Sequence, residues 1–72
     1  MLYREELFVM KKYKHFKGEV YELICIAKHS ETKEELVIYQ NGKQEKFARP
    51  YTMFFEDVEY QGKLVPRFTE IS

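Results

Sequence analysis

Glu19-Val20-Tyr21-Glu22-Leu23-Ile24-Cys25-Ile26-Ala27-Lys28 decides how the rest of the chain is read. Val20, Ile24 and Ile26 fall on one side of an extended backbone, with Glu22 among them, and Tyr21, Leu23, Cys25 and Ala27 on the other. Both sides are largely apolar, which predicts a strand inside a sheet rather than at its edge. Lys17-Gly18 just before it marks a turn, because glycine accepts a positive φ without steric cost.

Downstream, His29-Ser30-Glu31-Thr32-Lys33-Glu34 is polar and reads as a turn or a distorted hairpin tip. Ser30 and Thr32 are expected to bond nearby backbone there. Glu35 to Gln40 is a second strand, with Leu36 and Ile38 opposite Val37 and Tyr39. Asn41-Gly42 gives the strongest short hairpin signal in the chain, that of a type I′ turn. Lys43 to Arg49 is then the return strand, polar around Phe47 and therefore placed at an edge. Arg49-Pro50 interrupts the ladder, since proline donates no N–H. Pro50 also suits the start of a helical turn, so Tyr51-Thr52-Met53-Phe54 is expected to form one short 3₁₀ turn plugging one end of the fold. Phe55 to Tyr60 is a fourth strand, Gln61-Gly62 a turn, and Leu64 to Phe68 a last strand broken at Pro66.

Upstream, Leu7-Phe8-Val9-Met10 fits a short strand or a frayed helical turn equally well. The expectation is one mostly-β domain over residues 1–72, with its core at about 13–70 and residues 1–12 as an arm or extra strand. About five short strands with tight turns fit a five-stranded SH3-like barrel, a closure that leaves few bare edges.

The composition sets further bounds. A chain of 72 residues buries only about 60% of the surface its unfolded form exposes. With a single cysteine, Cys25, neither an internal disulfide nor a cysteine zinc site can reinforce it. Six Tyr and six Phe are the remaining resource, and most of those rings are expected in the core. No apolar run reaches membrane-spanning length, and Met1 to Glu6 lacks the pattern of an export signal. Together with the unpaired Cys25, this points to the cytoplasm. Twelve basic and twelve acidic residues leave no net charge, which argues against strong non-specific nucleic-acid binding and removes some of the repulsion that opposes self-association. Homo-oligomers could form through edge strands at Lys43–Arg49 or Leu64–Phe68.

Two local features carry possible chemistry. Arg49-Pro50-Tyr51 sets a guanidinium beside rings. With Tyr39, Tyr13 and His15, it could line a groove for a peptide segment of a partner protein. The competing role for Arg49 is structural, pairing with Glu56 or Asp57 or bonding carbonyls of the C-terminal strand. The run from Lys11 to Lys17 holds four lysines (Lys11, Lys12, Lys14 and Lys17) between rings, a pattern that can hold a phosphate backbone and stack bases. Strand alternation opposes that use, because it places Tyr13 and His15 on one face and Lys14 and Phe16 on the other.

Catalytic signals are poor. His29-Ser30-Glu31 contains triad residue types, but contiguous turn residues cannot form the relayed geometry. His15 and His29 lack metal-ligand spacing, Cys25 sits mid-strand as a small hydrophobe, and the three glycines form no phosphate loop. The expectation is a non-catalytic binding or interaction module without cofactor or metal, with a nucleic-acid accessory role as the alternative.

Tyr13-Lys14-His15-Phe16-Lys17-Gly18, Tyr21-Glu22, Ala27 to Thr32 and Glu35 to Tyr39, followed by Arg49-Pro50, Met53-Phe54-Phe55, Val58, Gly62 and Val65-Pro66-Arg67-Phe68, resemble in order and spacing a small bacterial family, domain of unknown function 1653. The resemblance covers about residues 13–68 and implies an SH3-like small barrel, with no activity attached. Members of that family usually carry a longer loop than Gln40–Ala48 and a Trp shortly before the Arg-Pro, where this chain has Phe47.

Overall fold

The computed structural model describes residues 11–71. The strand or helical turn considered for Leu7–Met10 lies outside them. Seven strands and one helical turn follow in the order β1 (Lys11–His15), β2 (Val20–Lys28), β3 (Glu35–Gln40), β4 (Lys46–Pro50), α1 (Tyr51–Phe54), β5 (Asp57–Tyr60), β6 (Lys63–Pro66) and β7 (Phe68–Glu70). Five of them form an antiparallel sheet in the order β4-β3-β2-β1-β7, and β5 pairs with β6 in a separate ribbon. No helix among the described residues is long and apolar enough to cross a membrane.

The mostly-β expectation holds, with seven strands in two sheets where about five were expected, β4 and β7 at the ends of the larger one and no closed barrel among the described residues. One cause is at Arg67. The segment read as a single strand broken at Pro66 is two strands in different sheets. The Arg67 N–H leaves both ladders to donate to the Glu56 carbonyl at 2.9 Å, and its carbonyl accepts from the Phe16 N–H at 3.0 Å. Lys11 and Lys12, read as part of an arm, begin β1 and pair with Leu23 and Glu22.

The central placement of β2 holds, but its faces do not. The register passes from Leu23↔Tyr39 to Cys25↔Ile38, so Ile24 is an extra residue opposite none. Such a bulge exchanges the faces of all that follows. Ile26 joins Val37 on the side of Tyr21 and Leu23, while Cys25 moves to the other side, where it is exposed rather than packed as a small hydrophobe.

The hairpin loops depart from the expected turn chemistry in an instructive way. Gln40 pairs with Lys46, so β3 and β4 are joined by residues 41–45 and not by a two-residue turn. Asn41 organises this loop through its side chain: Oδ1 accepts from the Lys43 and Glu45 N–H groups at 2.9 and 3.0 Å, and Nδ2 donates to Glu45 Oε1 at 2.7 Å. The positive φ falls on Gln44 (65°) instead of Gly42. His29 plays the matching part before β3, its Nδ1 accepting from the Glu31 and Thr32 N–H groups at 3.1 and 3.3 Å, with Lys33 left-handed at φ 66°. Thr32 Oγ1 accepts from the Glu34 N–H, the backbone bond expected of it. The two-residue turn with both φ values positive is Gln61-Gly62 (54° and 82°), closing the Tyr60↔Lys63 pair. Gly62→Ala is thus expected to cost roughly 1–2 kcal/mol, the penalty of a left-handed Cβ. Gly42→Ala, with open space around it and no positive φ, should stay within about 0.5 kcal/mol of the parent in urea unfolding.

The core lies between the bulge-sided face of the sheet and α1. It consists of Tyr13, Leu23, Val37, Tyr39, Phe54 and Phe68, with Tyr21 packed against it. Pro50, extended at φ −51°, ends β4 opposite Leu36 and launches α1, which is an α-turn and not the expected 3₁₀. That turn delivers Phe54, fully buried, to stack on Phe68 with centroids 4.0 Å apart and rings 4° from parallel.

Candidate functional site

Side chains of antiparallel partners share a face. The register therefore gathers Tyr13 and His15 from β1, Tyr21 from β2, Tyr39 from β3, Phe47 and Arg49 from β4 and Phe68 from β7 on one side of the sheet. Their rings touch in sequence. Tyr21 is edge-on to Tyr39 (5.4 Å) and to Phe68 (5.7 Å), His15 meets Phe68 at 5.0 Å, and Tyr39 lies 5.5 Å from Phe47. The series runs from fully covered rings at the core to Phe47, which is 40% exposed on the edge strand.

Arg49 closes this face. Its Nε–H donates to the Tyr39 phenol oxygen at 3.3 Å, and it pairs with no carboxylate among the described residues. The structural part considered for Arg49 belongs to Arg67. The Arg67 guanidinium pairs with Glu56 and donates from Nε to the Met53 carbonyl at 3.0 Å. Arg49 is thus a half-buried cation with one neutral partner, whereas Arg67 is compensated.

His15 uses Nδ1 to accept the Lys17 N–H at 3.1 Å, which leaves the proton of a neutral ring on Nε2. Burial lowers its pKa, and Arg49, Arg67 and Lys17 lower it further against an opposing pull from Glu19. The Tyr21 hydroxyl donates to Glu19 Oε1 at 2.7 Å, which pushes its pKa up to about 12, with burial as the next cause. Tyr13 is raised as well, first by burial and then by Glu70 and Tyr51.

Of the residues expected to line a groove, Arg49 and Tyr39 are in contact, and His15 and Tyr39 each meet the ring of Phe68. Tyr13 is buried, edge-on to Phe54 and Phe55, and serves the core. Tyr51 is exposed and packs on Phe55 at 4.8 Å, on the α1 side of Tyr13. Tyr21 and Phe47 belong to the face although the sequence reading did not place them there. The available signal was Phe47, the one ring in an otherwise polar edge strand. The lysine run is divided. Lys11 shares the aromatic face and pairs with Glu70 at 3.3 Å, Lys12 and Lys14 lie on the opposite face, and Lys17 sits in the turn, 5.8 Å from the Phe16 centroid. Lys12 there lies opposite Glu22, whose Oε1 accepts from the buried Gln40 amide at 2.8 Å.

Two open concavities, of about 350 and 480 Å³, flank Val20, Asn41 and Gly42. Neither is lined by Arg49, Tyr39 or His15. Among the described residues, no three His, Cys, Asp or Glu side chains gather as metal ligands would.

No curated protein sequence matches the chain. Among solved structures, it is similar to the crystal structure of a DUF1653 protein from Bordetella bronchiseptica, with 25% identity and a TM-score of 0.79 over 94% of this chain and 92% of that one. The family model described as protein of unknown function (DUF1653) matches residues 11–70, the span of β1 through β7, and the chain belongs to that family.

Proposed function

We propose that this domain is a non-catalytic protein-interaction module that takes a peptide segment against its aromatic face. The observation that carries the reading is the unbroken series of ring contacts from the core out to exposed Phe47, with Arg49 beside it. Tyrosine, other aromatics and arginine are the side chains that concentrate interface energy, because they bury large area with few rotamers. A non-catalytic role is supported by the histidines: both His15 and His29 use Nδ1 to hold backbone amides of their own turns. We read the strands as a partly open SH3-like roll. Domains of that shape often take peptides on aromatic surfaces, an analogy of fold alone. The exposed, unpaired thiol of Cys25 suits a reducing bacterial cytoplasm.

Amide shift mapping of the whole chain against peptide pools, RNA and single-stranded DNA tests the reading. Peptide-induced shifts are expected at Tyr39, Phe47 and Arg49, persisting at 0.5 M salt, where surface charge attraction is screened within about 4–5 Å. Phe47→Ala should weaken binding several-fold, and Tyr51→Ala should not, since Tyr51 packs on Phe55 away from this face. Shifts confined to Lys12, Lys14 and Lys17 that appear with RNA and vanish in salt would support the nucleic-acid role instead. No localised shift with any probe would reject an interaction module.

A further inference from the structure

We infer that Arg49 and the Tyr39 hydroxyl form a carboxylate-recognition point on the aromatic face, with His15 on the same face, so that the peptide partner is anchored by an acidic group flanked by an apolar side chain. The inference rests on the interaction-module reading and adds the chemistry of the ligand.

Two groups on this face have donors left without acceptors among the described residues, Arg49 and Tyr39. Arg49 bonds Tyr39 through Nε only, which leaves its two terminal nitrogens available to a carboxylate. The Tyr39 oxygen accepts that bond, and its own proton has no acceptor among the described residues. His15 Nδ1 is occupied by the Lys17 amide, which puts the proton of the neutral ring on Nε2. A half-buried guanidinium without a counter-ion among the described residues is costly, and an incoming carboxylate relieves that cost in a way that a neutral ligand cannot. Phe47, exposed next to Tyr39, supplies the apolar flank. Glu19 is the one carboxylate that influences His15, and it is engaged by the Tyr21 hydroxyl and not by Arg49.

The charges facing His15 set a pH signature. They are Arg49 from β4, Arg67 between β6 and β7, and Lys17 and Glu19 from the turn after β1. In the free protein, the cations and burial hold the imidazole below its ordinary pKa. A bound carboxylate offsets the cations and raises that pKa. Binding is then coupled to proton uptake, and affinity rises as pH falls through the His15 titration, until the ligand's own carboxyl protonates.

N-acetyl-phenylalanine and N-acetyl-phenylalanine amide are the probes, followed by amide and imidazole NMR. The acid should shift Tyr39, Phe47, Arg49 and His15 and raise the His15 pKa, and the amide should bind about tenfold more weakly. Arg49→Gln, checked for a native spectrum, should lose that preference. Arg49→Lys should keep part of it, as a point charge without the fork. Glu19→Gln should tighten the acid by removing a like charge. Equal shifts from acid and amide, or an acid preference that survives Arg49→Gln, would overturn the inference while leaving the module reading intact. Peptide pools that bind elsewhere, or not at all, would remove both.

Discussion

Phe54→Ala is expected to remove about half of the domain's stability, the largest loss of any single core truncation. Phe54 is fully buried, stacked on Phe68 at 4.0 Å and edge-on to Tyr13 and Tyr39 at 5.4 and 5.3 Å. Deleting such a ring removes its transfer free energy and leaves a cavity, together about 3–5 kcal/mol. At roughly 0.05–0.15 kcal/mol per residue, a domain of this length holds only about 4–11 kcal/mol of stability. The six-residue buried cluster has few neighbours able to collapse into the gap. Far-ultraviolet circular dichroism with urea titration reads the effect, and Phe54→Leu, which keeps part of the volume, should retain a measurable midpoint at lower urea than the parent. Phe55→Ala supplies the contrast. Phe55 is the next ring in sequence but 40% exposed, so its loss should cost about 1 kcal/mol. A midpoint for Phe54→Ala no lower than that of Phe55→Ala would mean that α1 does not pin the core.

The importance of that position was half visible in the sequence. Pro50 announced a helical turn, and its residues were placed as a plug. Nothing in Tyr51-Thr52-Met53-Phe54 says which ring turns inward, because in a four-residue helix that choice is made by the sheet beneath it. The strands β2 and β3 were legible because their alternation is long and apolar. The bulge at Ile24 was not, since every residue from Leu23 to Ala27 is apolar and a slip of one leaves the pattern unchanged. Asn41-Gly42 misled for a chemical reason. The Asn41 side chain caps a wider loop by bonding two backbone amides, which outweighs the local preference for a two-residue turn. Arg49 was legible as a candidate from its neighbours in sequence, but its partner was not. Tyr39 precedes it by ten residues, and only the register of β3 and β4 brings the two together. Tyr21 escaped notice as a site residue because a ring on a central strand reads as core, and it is the edge-on stacking with Tyr39 and Phe68 that places it at the rim.

The second large effect is expected at Arg67, which sits where the chain leaves one sheet for the other. Its side chain is only 19% exposed and makes two different bonds, an ion pair to Glu56 and a donation to the Met53 carbonyl at the end of α1. The Glu56 carboxylate is 43% exposed, so screening holds the ion pair to between 0 and about 1 kcal/mol. The bond to Met53 O comes from a charged donor to a helix-end carbonyl, and such bonds contribute about 1.5–3 kcal/mol. Arg67→Ala should therefore lower stability by about 2 kcal/mol, with most of the loss on the α1 side. Arg67→Lys should recover less than half, because one ammonium cannot span Glu56 and Met53 in the planar arrangement that the fork provides. Glu56→Gln isolates the ion pair and should cost under about 1 kcal/mol, less still in high salt. If Glu56→Gln costs as much as Arg67→Ala, the helix-end bond contributes nothing. The consequence reaches the candidate site as well. The Arg67 carbonyl holds the Phe16 amide at 3.0 Å, next to His15, and the Arg67 charge helps to hold the His15 imidazole below its ordinary pKa. In Arg67→Ala, that pKa should move upward while Arg49 stays in place, a shift readable by imidazole NMR under conditions where the variant is still folded.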